Sequence, residues 1–240
     1  MRICSCIVAL SVLAPTPAGA QIGSLLKQLG GTSVSALPDA KVTSGLKEAL
    51  RVGAENAVTS TGRTDGYFAN TAIRILMPKN WRTVETALRA AGLGKDVDGF
   101  ILGMNRAAER AAPEAKSIFG DAILEMTFED ARGILQGTDT AATEYFKRKT
   151  TPRLTGAFRP VVEKAMADIG VVRQYDDLMR RVPVVPFAQL PSLDIRTYVV
   201  TKALDGLFLI LGQEEQKIRK NPAARVTSLL QDVFGRGGAR

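Results

Sequence analysis

The sequence predicts an all-α protein, a single-domain bundle of several helices with a long, largely buried helix near the carboxyl end. Apolar residues recur at intervals of three and four along most of the chain, and no series of alternating strands appears. The most apolar later run, Gly206–Gly212, lies in a helical pattern that is apolar nearly all round, as in the middle of a bundle. Over 240 residues, 45% apolar and 23% charged content exclude disorder throughout.

The first twenty residues have the pattern of a signal peptide. Arg2 gives a short positive start, residues 7–14 are an apolar stretch, and Ala18-Gly19-Ala20 is an A-x-A cleavage site. The stretch is too short to span a bilayer, which takes roughly 20 residues. The pattern predicts export, cleavage after Ala20, and a periplasmic or secreted protein. Gln21 stands where a lipid-anchoring cysteine would be, so no lipid anchor is expected.

The mature chain would have neither histidine nor cysteine. The sequence has no His, and both of its cysteines, Cys4 and Cys6, lie inside the signal peptide. This composition excludes Ser-His and Cys-His nucleophiles, imidazole zinc sites and disulfide bonds. We expect no cofactor and no metal. The formal net charge of +8 falls to +7 when Arg2 is removed.

The amino-terminal half begins with a leader, predicted to be flexible over residues 21–40. Helical spacing starts near Thr43 and ends at Gly62, a residue that suits a helix end. Residues 62–72 are rich in turn-forming residues, and residues 73–77 could be extended. Pro78 suits the first turn of the next helix, which Gly92 ends.

The middle of the chain predicts further helices. One runs from Gly94 to Ala112, and Pro113 opens another. Thr127 and Asp130 form a capping box for a short helix that ends at Gly137. Asp139 is expected to cap the next segment, which contains Tyr145 and Phe146. Thr151-Pro152 is then expected to open a separate helix, which Pro160 should kink or split.

The last third contains the predicted long helix. Residues 183–193 hold three prolines and predict an extended connection. Asp194 then starts what should be the longest helix, whose apolar stripe is Val200, Leu204, Leu207, Phe208 and Leu211, widened by Leu209 and Ile210. Asn221-Pro222 ends it and opens a final helix. The helical domain is therefore predicted over residues 41–235, followed by a disordered tail at 236–240, with no transmembrane helix in the mature chain.

Several motifs occur in an order that resembles a known family. They are G-R-T-D-G-Y-F (62–68), N-R-A-A-E-R-A-A-P-E-A-K (105–116), T-E-Y-F-K-R-K-T (143–150), A-L-D-G-L-F (203–208), E-E-Q-K-I-R-K-N-P-A-A-R (214–225) and V-F-G (233–235). The chain resembles the bacterial family known as domain of unknown function 4197. The resemblance implies an exported or envelope-associated protein of Gram-negative bacteria. It implies no activity, so no catalytic or binding residue is carried over.

Carboxylates near the most apolar helix are the candidates for catalysis. Asp205 and Glu214 would suit a glycan hydrolase, which uses paired carboxylates. They are nine residues apart, which is about 13.5 Å along one helix, too far for a catalytic pair unless the helix breaks. Asp205 lies within the apolar stripe, so we expect a buried ion pair with Arg106 or Arg110.

Two further pairs on this helix have helical spacing. Glu214 with Lys217 and Glu215 with Arg219 are three and four residues apart, which favours ion pairs on the helix surface.

A turn and two basic segments are the candidate contact sites. Asp65-Gly66 predicts a tight turn that presents Tyr67 and Phe68, either as anchors to the core or as a contact site. Lys147, Arg148 and Lys149, followed by Arg153, place four positive charges in seven residues, and residues 216–240, with Arg219 and Arg225, carry a net charge of +5. Export argues against nucleic acid as a partner. Anionic lipid, lipopolysaccharide or another envelope protein suits the compartment better, and a solvated basic surface is the simpler alternative.

Taken together, these observations favour an exported, non-catalytic helical protein of the cell envelope that binds a partner or an anionic or amphiphilic ligand. The alternatives are a carboxylate-dependent hydrolase of cell-wall glycan and a structural homo-oligomer.

Overall fold

The computed structural model describes residues 39–181 and 194–220, and every regular element within these ranges is a helix. The all-α prediction is therefore confirmed. In chain order the α-helices are α1 (Asp39–Gly62), α2 (Arg82–Ala90), α3 (Gly94–Ala111), α4 (Ala115–Leu124), α5 (Phe128–Gln136), α6 (Ala141–Ile169), α7 (Val171–Arg181) and α8 (Ile195–Lys220). Short 3-10 turns, Lys79–Trp81 and Ala112–Glu114, precede α2 and α4.

The core forms around α6 and α8, which pack against each other, while α3 covers α6, and α1 covers α8 and α4. The pair α6 and α8 is antiparallel, because Thr143 meets Glu215 at one end and Arg159 meets Thr197 at the other. The long, largely buried helix near the carboxyl end is confirmed. Buried residues of α8 include Val199, Val200, Ala203, Leu204, Leu207, Phe208, Ile210 and Leu211.

The predicted break before Thr151 is wrong, because α6 is one helix with Pro152 and Pro160 inside it. Each proline removes the hydrogen bond to the carbonyl four residues earlier, at Arg148 and Gly156. Both prolines and both of these residues are exposed, so water can reach the carbonyls. A buried row holds the helix together through both prolines: Ala142, Phe146, Thr150, Leu154, Phe158, Val162 and Met166.

Two predicted helix starts are confirmed and one length is corrected. Thr127 and Asp130 form the capping box of α5. Asp194 Oδ1 accepts the backbone N–H groups of Arg196 and Thr197 at 3.1 and 3.2 Å, which caps α8. The longest described helix is α6 with 29 residues, against 26 for α8, because the predicted break inside α6 is absent.

Several predictions lie outside the described residues. These are the signal peptide, nearly all of the leader, the 183–193 connection, the last helix with Arg225, and the tail. Among the helices that are described, none combines the length and the apolar character that crossing a membrane requires.

Candidate functional sites

Glu109 of α3 is a buried carboxylate that binds the turn before α2. Its Oε1 accepts the backbone N–H groups of Tyr67 and Phe68, both at 3.1 Å. Its Oε2 accepts a hydrogen bond from Arg106 at 2.6 Å, and Arg106 also donates to Asp65 at 2.7 Å. A buried carboxylate is stable only when it is paired in this way, so Glu109 joins the turn to the bundle.

Tyr67 is the second attachment of this turn. It is fully buried, and its hydroxyl donates to the carbonyl of Ala203 at 2.6 Å. Its ring lies directly on Gly206, where a Cβ would be 2.6 Å from the ring carbon Cε1. Burial, together with the negative charge of Glu109, raises the pKa of Tyr67. Tyr67 therefore anchors the turn and is not accessible to a partner.

The remaining residues of the turn follow from its geometry. Asp65 has φ 63°, in the left-handed region that Asp tolerates. A Cβ on Gly66 would be 2.4 Å from the carbonyl oxygen of Ser60, so only glycine fits. Phe68 is half-buried and covered by the guanidinium of Arg74, 4.7 Å from the ring centroid. Asp65 stays exposed, so it is the member of this predicted contact site that a partner could reach.

Glu215 of α8 is a second buried carboxylate, and it caps α6. Its Oε1 accepts the backbone N–H of Ala142 at 3.0 Å, and its Oε2 accepts the backbone N–H and the hydroxyl of Thr143 at 2.9 and 2.8 Å. The first turn of a helix has unpaired N–H groups and favours a negative charge. The predicted cap, Asp139, is wrong, since the charge comes from α8 and Asp139 pairs with Lys220.

Arg219 completes this cluster. It donates two hydrogen bonds to Glu215, at 3.0 and 2.9 Å, and one to the carbonyl of Ile134 in α5 at 2.8 Å. The predicted pair of Glu215 and Arg219 forms, but it lies inside the bundle and not on its surface. Helical spacing determines which residues of α8 can pair, whereas the packing of α5 and α6 determines that this pair is buried.

Asp205 does not form the predicted buried pair with Arg106 or Arg110. Its side chain is 58% exposed and accepts a hydrogen bond from Lys202 at 2.8 Å. Arg106 is held by Glu109 on one side, and Arg110 lies 3.9 Å from Asp168. Asp205 follows the buried Leu204 on α8, but its side chain is turned by about 100° from that of Leu204 and reaches solvent at the edge of the apolar stripe.

Glu214 lies at the edge of α8 and accepts hydrogen bonds from Asn56 at 3.1 Å and from Lys217. The predicted pair with Lys217 is confirmed. Helix α8 is continuous from Ile195 to Lys220, so Asp205 and Glu214 keep their helical separation of about 13.5 Å. These two carboxylates therefore give the hydrolase alternative no support.

The basic run Lys147–Lys149 is exposed on α6, but its charges are not equivalent. Lys147 pairs with Glu144 at 2.9 Å. Arg148 and Lys149 lie 5.7 and 6.0 Å from the centroid of the Tyr145 ring, and neither has an ion pair with a described residue. Arg153, expected to extend the run, is neutralised by two carboxylates of α4, Asp121 and Glu125.

Two exposed leucines lie on helices that pack against α6. The large hydrophobic residues exposed in the described ranges are Leu76, Leu124 and Leu209. Leu124, 77% exposed, ends α4, whose Ala122 carbonyl accepts the hydroxyl of Tyr145 at 2.8 Å. Leu209, 43% exposed, follows Phe208 of α8, which lines the same groove as Lys147.

The described part of the basic carboxyl-terminal segment is neutralised. Lys217 pairs with Glu214, Arg219 with Glu215, and Lys220 with Asp139. The contact with Lys220 lowers the pKa of Asp139.

A groove of about 380 Å³ separates the exposed edges of α6 and α8. This volume falls in the range of small-molecule sites. Its walls are Lys147, Thr151, Thr155 and Arg159 of α6, with Thr197, Thr201 and Asp205 of α8, and its floor is Val200, Leu204 and Phe208.

Sequence reasoning missed the buried polar residues and the groove threonines. Asn105 exchanges hydrogen bonds with the backbone of Ile75, both at 2.8 Å, and fixes the chain before α2. A signal was available for the groove, because Thr151 and Thr155 are four residues apart, as are Thr197 and Thr201. Little in the sequence indicated that Glu109 is a buried anchor, since only Arg106, three residues earlier, has the spacing of an ion-pair partner.

The fold and these clusters define an all-α bundle fixed by two buried, fully hydrogen-bonded glutamates. The chain belongs to the family described as protein of unknown function DUF4197, whose sequence model matches residues 36–235. The resemblance seen in the motifs is thereby confirmed. Comparisons with curated proteins and with solved structures find no match.

Proposed function

We propose that this is an exported, non-catalytic protein of the cell envelope that binds an anionic lipid surface through the exposed face of α6. Export is supported by the signal-peptide pattern of residues 1–20. The observation that carries the proposal is the basic run Lys147–Lys149, which is exposed on α6.

The chemistry of this face fits a layer of anionic headgroups, including those of lipopolysaccharide. Each Lys or Arg near such a surface contributes about 1 kcal/mol, and the attraction is screened by salt. Arg148 and Lys149 have no ion pair with a described residue, so they can approach lipid phosphates without breaking such a pair.

Binding of the mature chain to vesicles tests the proposal. We expect retention on vesicles that contain phosphatidylglycerol, no retention on pure phosphatidylcholine, and release by salt. Replacing both free cations, in Arg148→Gln/Lys149→Gln, should weaken binding by roughly 30-fold, from about 1 kcal/mol for each charge.

The matched control removes two exposed cations elsewhere, in Lys79→Gln/Arg82→Gln. This variant has the same net charge as the test variant, so a site on α6 predicts that it binds nearly as well as the parent. If both variants lose binding equally, net charge alone explains the effect and the site on α6 is wrong. If the parent protein is not retained on anionic vesicles at low salt, the whole proposal is overturned.

A further inference from the structure

The groove between α6 and α8 has walls whose hydrogen-bonding character is determined by the helices. The hydroxyls of Thr151, Thr155 and Thr201 lie 2.7, 2.9 and 2.9 Å from the carbonyl oxygens four residues earlier. A carbonyl oxygen can only accept, so each hydroxyl donates its proton to the backbone. The Thr197 hydroxyl likewise donates to the carboxylate of Asp194 at 2.6 Å. All four hydroxyls therefore present acceptor lone pairs to the groove.

Charges of opposite sign lie at separate positions along the groove, Arg159 on the α6 wall and Asp205 on the α8 wall. Arg159 closes one end, with its Nη1 3.4 Å from the Thr197 hydroxyl. Asp205 lies eight residues further along α8 than Thr197, which is about 12 Å at 1.5 Å per residue. Because α6 and α8 are antiparallel, Asp205 is level with Thr151 on the facing wall.

The other charged groups around the groove are paired with neighbours. Lys147 pairs with Glu144, and Glu163 lies 3.9 Å from Arg159. Lys202 donates to Oδ2 of Asp205. The second oxygen of Asp205 accepts no hydrogen bond from the described part of the chain, and the side chain is exposed to the groove opening.

We propose that this groove binds a short peptide that has a free amine and a free carboxylate. The peptide carboxylate would pair with Arg159, and its ammonium group would pair with Asp205 and the hydroxyl oxygen of Thr151. Backbone N–H groups would donate to the Thr155 and Thr201 oxygens, while small apolar side chains would lie over Val200, Leu204 and Phe208.

The spacing sets the length of the peptide. An extended chain spans at most about 3.6 Å per residue, so three or four residues bridge about 12 Å. A polyanion fits less well, because the centre of the groove offers acceptors and a carboxylate where a polyanion needs donors. The groove shares Lys147 with the basic run, but Arg148 and Lys149, the residues changed in the lipid-binding test, do not line it, so the two proposals can be tested separately.

Calorimetric titration of the mature chain with tetra-alanine tests the inference. We expect saturable binding, and roughly tenfold weaker binding of the N-acetylated and the C-amidated peptides, each of which loses one charge-assisted hydrogen bond. Arg159→Gln should abolish the discrimination against the C-amidated peptide, and Asp205→Asn the discrimination against the N-acetylated one. The isosteric Thr155→Val should weaken the binding of all the peptides.

Matched controls separate this site from net charge and from folding. Lys164→Gln and Asp168→Asn change one charge each on another part of α6 and should leave peptide binding unchanged, as should Arg148→Gln/Lys149→Gln. Thermal melting confirms that each variant is folded. The absence of saturable binding, equal affinity for the free and blocked peptides, or wild-type discrimination in Arg159→Gln and Asp205→Asn would overturn the proposal.

Discussion

The two buried glutamates, Glu109 and Glu215, use the same chemistry in different surroundings. Each accepts two backbone N–H groups and is paired with an arginine on its own helix. Arg106, the partner of Glu109, is 27% exposed and extends to the exposed Asp65. Arg219, the partner of Glu215, is only 13% exposed and also binds the end of α5.

This difference separates a local attachment from a central one. Glu109 attaches a turn to α3, so its loss should free that turn while the bundle stays folded. Glu215 joins α8 to the first turn of α6 and, through Arg219, to α5. A buried charge left without its partner costs more than one that can turn toward water. The contribution of each carboxylate to stability therefore depends on whether its arginine, once left behind, can find another partner or reach water.

The largest expected effect is the loss of the carboxylate of Glu215. Glu215→Gln leaves Arg219 without its carboxylate in the interior and should lower the free energy of unfolding by about 3–5 kcal/mol. Glu109→Gln should lower it by about 1–3 kcal/mol, since Arg106 keeps Asp65 as a partner.

Urea unfolding measures both values, and hydrogen exchange locates the change. In Glu109→Gln, faster exchange should be confined to the turn that contains Tyr67 and Phe68. If Glu109→Gln proves as destabilising as Glu215→Gln, or exchanges faster throughout, the distinction between a local and a central attachment is wrong.

A smaller effect is expected where the turn meets α8. Gly206→Ala would place a Cβ 2.6 Å from the ring of Tyr67, so the ring or the helix must shift. Overpacking of this kind costs about 1–3 kcal/mol. Gly133→Ala in α5 is the matched control, because a Cβ there has nothing within 4 Å, and alanine should stabilise that helix by up to about 1 kcal/mol.

Thermal melting compares the stability of the two alanine variants, each of which adds one methyl group to the bundle. A Gly206→Ala protein as stable as Gly133→Ala would show that the close packing of Tyr67 on α8 contributes nothing to the attachment of the turn.

The smallest effect concerns Asp194, an exposed carboxylate that caps α8 as Glu215 caps α6. Hydrogen bonds from Thr197 lower the pKa of Asp194 below its ordinary value of about 3.9. The ionised form is therefore favoured in the folded protein. Its contribution to stability is complete above the ordinary pKa and is lost as the pH falls through the lower, folded-state value.

Asp194→Asn keeps a good capping residue but removes this titration. We expect a loss of about 0.5 kcal/mol at neutral pH, limited by solvent screening, and a shallower fall of stability in acid. Unfolding measured from neutral to strongly acidic pH gives both quantities. A variant with an unchanged slope in acid would mean that Asp194 takes no part in the pH dependence.

Much of the fold was predictable because its signals are local. The capping box of Thr127 and Asp130, the start of α8 at Asp194, and the pairs of Glu214 with Lys217 and Glu215 with Arg219 each depend on residues within four positions. The continuity of α6 was also readable, since apolar residues recur every four positions through Pro152 and Pro160, with Thr150 as the one polar member of the row. The predicted break is absent because this row packs the helix into the core while both prolines stay on its exposed side.

The sites were less predictable because they depend on neighbours distant in sequence. The sequence gives Glu109 no partner nearer than Arg106, yet two of its hydrogen bonds come from residues more than forty positions earlier. Glu215 caps a helix that begins 74 residues before it. Asp205 was expected inside and is exposed, because one step along a helix turns the side chain by about 100°.

By itself, the sequence determined the helical class, the long buried helix near the carboxyl end, and a composition without the histidine that many active sites require. Only the tertiary structure decided which charged residues are buried, which cations form ion pairs within the described residues, and that two rows of threonine face each other across one groove. The physical reason is the range of the interactions. Helix formation and capping act within a few residues, whereas burial and pairing across helices depend on packing between distant segments.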